Sequence, residues 1–356
     1  MNESTPHPSA VHPRSCPAAG ILPPHILWAI AANGDAEQRA WALEALALSE
    51  RIRGRREVLG DLATVVAAAA LGKQRTVYDA RHGSQLPGAK ARGEGDPPDE
   101  DVAVNEAYDG AGATYDLYRD VFGRDSIDDR GMPLVATVHY RRRYDNAFWD
   151  GAQMVYGDGD GKIFQRFTKA VDVIGHELTH GVTQYEANLD YAGQPGALNE
   201  SLSDVFGSLV KQRTLGQTAD QADWLIGAGL FAPAIYGAAL RSMAAPGSAY
   251  DDPLIGKDPQ PADMAHYVET DDDNGGVHIN SGIANRAFYL AAVAIGGYAW
   301  EKAGKVWYVT LRDRLRPGSG FNDAAALTGA VAKELFGPRS SAAAAVARAW
   351  VDVGVR

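Results

Sequence analysis

His176-Glu177-Leu178-Thr179-His180 decides the reading of this chain. On a helix, two histidines four apart lie on one face, one turn from each other. Two imidazole nitrogens can then meet one tetrahedral metal, at about 2.0–2.1 Å each. Glu177 follows the first histidine directly and can reach a water on that metal. This is the layout of metal-assisted hydrolysis.

A catalytic zinc usually keeps three protein ligands and one open position. The third must come from elsewhere, and Asn199-Glu200-Ser201-Leu202-Ser203-Asp204 is the best candidate. Glu200 opens an apolar-periodic helix and would complete the coordination. Asp204, one turn further along the same face, can accept the second ring N–H of a ligand histidine and fix its tautomer. A lone His-Glu-x-x-His arises by chance in many proteins, and a lone helical carboxylate is usually solvated. Here the pieces support one another.

The rest of the chain sets bounds. Its 356 residues are 46% hydrophobic and 22% charged, a globular composition. The formal charge of −11 disfavours a general role on nucleic acid or anionic membrane. No run of about 18 uncharged apolar residues marks a membrane span. The first twenty residues lack a basic then apolar leader, so no standard secretory signal is expected. Cys16 is the single cysteine, so no intrachain disulfide can form. These features fit a cytoplasmic protein or one exported without a standard signal.

Residues 1–24 are rich in Pro and Ser, and residues 21–27 read as an apolar plug interrupted by Pro23 and Pro24. Asp35 reads as a helix N-cap with Gln38 in the capping-box position, opening a helix to about Arg53. Arg51, Arg53, Arg55 and Arg56 form a basic cluster, a solvated face or a processing site. Residues 75–80, 134–140 and 153–156 read as strands. The later chain reads as helical over 172–186, 198–214, 279–301, 303–315 and 322–335. The expected class is α+β: a short helical prosegment (1–60, boundary between 50 and 74), a β-rich domain (75–186) carrying the His-Glu-x-x-His helix, and a helical domain (187–356).

With these blocks in order, the chain resembles the thermolysin family of zinc metalloendopeptidases from about Thr76 to its C-terminus. The resemblance rests on Asp145-Asn146-Ala147-Phe148-Trp149-Asp150, on Met154 through Gly161, on the 176–180 helix, on Ala197-Leu198-Asn199-Glu200 and on Gly275 through Gly282. The 24-residue step from His176 to Glu200 is the one that family uses. Cys16 through about Arg56, with its Pro-Pro-His block, resembles the short prosegment of the protealysin-like branch.

The resemblance implies peptide-bond hydrolysis in a zincin fold by an enzyme made as a zymogen. It implies one catalytic Zn²⁺ on His176, His180 and Glu200, with Glu177 as general base. His278 and Tyr191 would stabilise the oxyanion, and Asp273 would orient His278 and favour its charged form. Arg241, Asn146 and Ala147 match positions that hold the substrate backbone. Phe164, Phe167, Val173 and Leu240 match the lining of the main specificity pocket, which implies cleavage before bulky hydrophobic residues. Out of that context, Tyr191 and the four apolar residues would be ordinary packing and Asn146 a turn residue. Histidines 7, 12, 25, 82, 139 and 266 lack ligand spacing.

The chain also departs from the family. Asp172 and Asp223 occupy two positions of its double calcium site, but Lys211, Leu225 and Ala228 occupy three others. A calcium-loop aspartate has no counterpart near Ala238. Calcium needs roughly 6–8 oxygens, so the double site is expected to be absent and replaced by a Lys211–Asp172 contact. Asp158 and Asp160 read as a Gly-Asp turn rather than a calcium loop. In the precursor, either the Cys16 thiolate caps the metal, or Ile21, Leu22, Pro23 and Pro24 lie in the cleft as a non-cleaved mimic of substrate. Expected partners are peptides, proteins and the chain's own prosegment. Two rival functions stand beside this one: a zincin dedicated to one protein, and a zinc-stabilised interaction or adhesion protein with incidental peptidase activity. Glu177, Tyr191 and His278 favour catalysis, since mere binding needs no general base.

Overall fold

A computed structural model describes residues 20–60 and 72–356, and for residues 49–60 the backbone alone. Cys16, His7 and His12 lie outside the described residues. Two helices come first, α1 (Pro24–Asn33) and α2 (Ala36–Gly60), packed on each other. Pro24 does not interrupt α1 but starts it, because a proline at the first helical position has no N–H to leave unpaired. The expected plug is therefore confined to the few residues before it. Between the helices, Asp35 Oδ1 accepts the Gln38 N–H and Gln38 Oε1 accepts the Asp35 N–H, both at 2.8 Å. This is the expected capping box, but α2 runs on to Gly60 rather than ending near Arg53.

A five-stranded sheet follows, with β1 (Arg75–Asp79), β2 (Ala89–Gly93), β3 (Leu134–Val138), β4 (Ala147–Trp149) and β5 (Met154–Tyr156). Its order is β2-β1-β3-β5-β4, so β4 forms one edge. Strands β1, β3 and β5 run parallel, and β2 and β4 run antiparallel to their neighbours. Helix α3 (Val102–Phe122) packs on β1 and β3. It was not read from the sequence, because its glycines and acidic residues blur the apolar period. Its caps are nevertheless plain: Asp101 accepts from Ala103 N–H at 2.7 Å, and Gly123 ends it with a φ of +73°.

The metal-motif helix α4 (Val171–Tyr185) leads into α5 (Gly193–Leu215), α6 (Asp273–Ile295), α7 (Ala303–Asp313), α8 (Phe321–Phe336) and α9 (Ser341–Asp352). The unread α9 is alanine-rich and is capped by the Ser340 hydroxyl. Helix α6 is kinked at its start, where Asn274, Gly275 and Gly276 leave the helical region. Helix α5 packs against both α4 and α6, which places it at the centre of the second half. A continuous apolar core runs from Ile21 to Val355, and a smaller cluster joins Leu48 of α2 to Tyr140, Tyr144, Phe148 and Val155. No described helix is long and apolar enough to cross a membrane.

Candidate metal centre

The two histidines of α4 meet as their spacing requires. Their Nε2 atoms are 3.0 Å apart and their rings stand at 85°. His176 Nδ1 lies 2.7 Å from Asp204 Oδ1, and His180 Nδ1 lies 2.9 Å from the amide oxygen of Asn199. The Ser203 hydroxyl, which can also accept, lies 3.0 Å from His180 Nδ1; the Asp204 and Asn199 oxygens accept only, which favours the tautomer with the proton on each Nδ1 and Nε2 free to meet a metal. Glu200 adds a carboxylate, with Oε2 at 3.5 Å from His176 Nε2 and Oε1 at 3.4 Å from His180 Nε2. All three side chains are buried. Glu200 Oε2 has no hydrogen-bond partner. Two lone pairs and a buried carboxylate pointed at one space repel each other unless a cation lies between them. Ligand atoms of His176, His180 and Glu200 all fall within 4.8 Å, the one such set of three among the described residues. Two imidazoles and one carboxylate suit zinc with an open position.

Close helix packing brings Glu200 to the histidines. A Cβ on Gly207 would stand 2.3 Å from the Asp172 carbonyl oxygen, and one on Gly175 would stand 3.0 Å from Gly207 Cα. Only glycines let α4 and α5 approach this closely.

Asp204 is the hub behind the ligands. Besides His176 it accepts two bonds from Arg241, each 2.8 Å, and one of 2.8 Å from Asn285 Nδ2. Burial works against its charge, yet Arg241 and His176 outweigh that and hold its pKa well below the carboxylate range.

On the other side of the ligands, buried Glu177 accepts the Trp149 N–H at 2.9 Å, which ties it to edge strand β4. The Tyr191 hydroxyl donates to Glu200 and lies 3.4 Å from His278 Nε2. Asp273 accepts from both His278 Nδ1, at 2.7 Å, and the His278 N–H, at 2.8 Å. Burial would lower the pKa of His278, but Asp273 and then Glu200 raise it to about 9.

The backbone-holding positions are in contact with the prosegment. Ala147 O accepts the Ile21 N–H at 3.1 Å, Asn146 Oδ1 accepts the Leu22 N–H at 3.1 Å, and Arg241 donates to Ile21 O at 3.1 Å. Ile21 and Leu22 are buried, and Pro23 and Pro24 turn the chain into α1. Phe164, Phe167, Val173 and Leu240 are fully buried in the core that also contains Ile21.

Lys211 makes the expected contact with Asp172, at 3.1 Å, and also reaches Asp223 at 2.8 Å and the Leu225 carbonyl at 2.7 Å. Asp160 behaves as the expected turn residue, its Oδ1 accepting from the N–H groups of Lys162, Ile163 and Phe164. Asp158 instead pairs with His139, which also meets Asp101.

Several partners were not read from the sequence: Asn199 on His180, Asn285 on Asp204, the Trp149 N–H on Glu177, and His25 on Tyr250. Asn199 carried a signal, since it sits beside Glu200 on the same helix. Nothing local marks the others.

Comparison with known proteins agrees with this geometry. Residues 64–184 match the thermolysin metallopeptidase catalytic domain and residues 187–355 its alpha-helical domain. The chain is 55% identical over 304 residues to an extracellular metalloprotease of Pectobacterium carotovorum subsp. carotovorum, covering 85% of this chain and 87% of that one. It is 41% identical over 291 residues to a thermolysin of Alicyclobacillus acidocaldarius subsp. acidocaldarius, covering 78% of this chain but only 50% of that longer protein. Among solved structures, the precursor of protealysin, a metalloproteinase from Serratia proteamaculans, has a TM-score of 0.86 and 53% identity, covering 95% of this chain and 100% of that one. The chain belongs to the thermolysin family of zinc metalloendopeptidases, in its protealysin-like branch.

Proposed function

We propose that His176, His180 and Glu200 hold the zinc ion of a peptidase that cuts before bulky hydrophobic residues and is restrained by its own prosegment. One observation carries the assignment: the Nε2 atoms of two histidines and a buried carboxylate converge on one space. A zinc ion held there would supply Lewis-acid chemistry, lowering the pKa of a water and polarising the scissile carbonyl. Glu177 is placed to act as general base toward the attacking water and to deliver a proton to the leaving nitrogen. Its bond from Trp149 N–H fixes the carboxylate for this work.

A carboxylate cannot stabilise a developing oxyanion, so donors are required. His278 is the cationic donor at neutral pH, since Asp273 favours its charge. Tyr191 stays a protonated hydroxyl, because burial and the neighbouring Glu200 push its pKa well up. Arg241 holds a substrate carbonyl while Asp204 holds Arg241, so one carboxylate aligns both a ligand histidine and the substrate grip.

Phe164, Phe167, Val173 and Leu240 make the pocket for the residue after the cut, and the fully buried Ile21 supports an apolar occupant. A peptide library should return Leu, Phe or Ile at that position. A basic or acidic preference would refute the pocket. Occupation of the Asn146, Ala147 and Arg241 groups by Ile21 and Leu22 supports latency through a mimic of substrate. The thiolate alternative predicts that Cys16→Ala raises precursor activity, and unchanged latency removes it.

Lys211 supplies the charge that a calcium pair would otherwise bring to Asp172 and Asp223. Relatives named as extracellular support export of this chain. Zinc analysis of the purified protein, with proteolysis measured before and after chelation, tests the whole reading. Protein that binds no zinc, or that cuts equally well without it, would end it.

A further inference from the structure

We propose that the mature enzyme has a docking face, outside the cleft, for protein substrates that carry an acidic amphipathic helix, and that α2 covers this face in the precursor. This rests on the peptidase reading above and on release of the prosegment at maturation. The face begins with the alternation of the sheet edge, since successive side chains of a strand point to opposite sides. Ala147 and Trp149 of β4, with Met154 and Tyr156 of β5, enter the main core. Phe148 and Val155 point the other way and join Tyr140 and Tyr144, and Leu48 of α2 completes that cluster.

Cations surround this apolar cup. Arg141, Arg142 and Arg143 are consecutive, in a chain whose net charge is −11. Two carboxylates of α2 meet them. Glu37 pairs with Arg143 and, at 3.2 Å, with Lys162, while Glu44 lies 3.4 Å from Arg141. Glu37, Glu44 and Leu48 stand at helical spacing, seven and then four apart, so both acids and the leucine share one face of α2.

The helix does not use the whole surface. A cavity of about 360 Å³ remains between Trp41 and Glu44 on one side and His82, Ser84 and Arg142 on the other. Among the described side chains, Arg142 has no carboxylate partner. The surplus positive charge belongs to the catalytic domain, which outlasts the prosegment. A helix richer in acid than α2 fits it better. The prosegment also shows that one chain can span both places: Ile21 and Leu22 lie on Ala147 and Asn146, while Glu37 to Leu48 lie on the outer face. A substrate held on that face presents its cleavable segment to the cleft at a raised local concentration.

Two substrates with the same cut test this on trypsin-matured protein freed of its prosegment. One is a quenched Leu-containing peptide. The other is that peptide joined at its C-terminal end, through a Gly/Ser linker, to the sequence of residues 36–48. The joined substrate should have a KM at least about tenfold lower, with kcat unchanged. Glu37→Lys with Glu44→Lys in the joined helix, or Leu48→Asp, should return KM to that of the short peptide. Added salt should shrink the advantage. In the enzyme, Arg141→Glu with Arg143→Glu should raise KM for the joined substrate and leave the short peptide's kcat/KM at the wild-type value. The charge-reversed helix should then bind this variant better than the original does. The substrate variants leave the enzyme untouched, so they decide the matter even where the enzyme variant does not fold. Equal KM for the two substrates overturns the inference, and so does an advantage that survives both charge reversal and Leu48→Asp. Matured protein that hydrolyses neither substrate overturns instead the reading on which it rests.

Discussion

Helices α4 and α5 carry two buried acidic sites that solve the same problem differently. At one, Glu200 faces two imidazole nitrogens, and its Oε2 has no hydrogen-bond partner among the described residues. At the other, Asp172 meets the ammonium of Lys211, which Asp223 and the Leu225 carbonyl also hold. Burial works against the charge of Lys211, but Asp172 and Asp223 outweigh it and raise its pKa. The first site leaves its counter-charge to an ion, and so keeps an open position for chemistry. The second brings its own, and so holds the helices together without chemistry. A carboxylate cluster between two helices is therefore not a metal site by itself; the sign of the side chains completing it decides.

The strongest way to break the comparison is at the first site. Glu177→Gln should lower peptide hydrolysis by roughly 10²–10⁴-fold, the worth of a general base. Zinc content should stay at the wild-type level, because Glu177 is not one of the converging ligands. Loss of zinc along with activity would mean that Glu177 helps to bind the ion.

At the second site, Lys211→Met removes the ammonium and leaves Asp172 buried without its partner. Removing one member of a buried pair costs about 3–5 kcal/mol, so urea unfolding of the variant should shift by an amount of that order. No shift would make the pair dispensable. The sharper variant is Lys211→Glu, which converts the cluster to an acidic one. Its melting temperature should then rise with added calcium, while that of the wild type should not. A calcium-dependent wild type would contradict the proposed replacement.

A third buried site follows neither route. His25, on α1, has one ring nitrogen 2.8 Å from the Tyr250 hydroxyl and the other without a partner. Burial lowers its pKa to about 4; Asp273 works the other way, while His278 and Arg241 add to the lowering. Here the solution is to remain neutral. Because the docked pKa lies below the ordinary 6.5, the docked prosegment prefers the unprotonated ring. Docking is then fully favoured above pH 6.5 and weakens as pH falls toward 4. The loss should approach tenfold per pH unit, about 300-fold in all. Hydrogen exchange in α1 measures it, with α4 as the internal reference. The Glu37 pairs with Arg143 and Lys162 are exposed and titrate lower, so they do not mimic this window. Protection of α1 that stays flat from pH 7 to 5, or that falls equally in His25→Gln, would remove His25 as the cause.

The smallest expected effect is none: wild-type melting should be unchanged by a calcium-selective chelator. That outcome would place the two acidic sites in different classes, since a zinc chelator should lower stability by removing a ligand of the native state.

What was legible in the sequence were patterns whose partners lie within a turn or two along the chain. The His176–His180 face follows from helix period, and the Asp35–Gln38 box closes over three residues. The convergence of His176, His180 and Glu200 and the two-part architecture came from such patterns together with family resemblance. Helices α3 and α9 escaped because glycine and alanine mask an apolar stripe. Only the tertiary structure decided which histidine Asp204 would hold, that Arg241 would share Asp204, and that Trp149 would secure Glu177 from β4. It also decided that His25 would be sealed against Tyr250, 225 residues away. The reason is physical. Local hydrogen bonds and periodicity depend on neighbours in the chain, whereas the desolvation and charge that set these roles depend on which distant segments exclude water together.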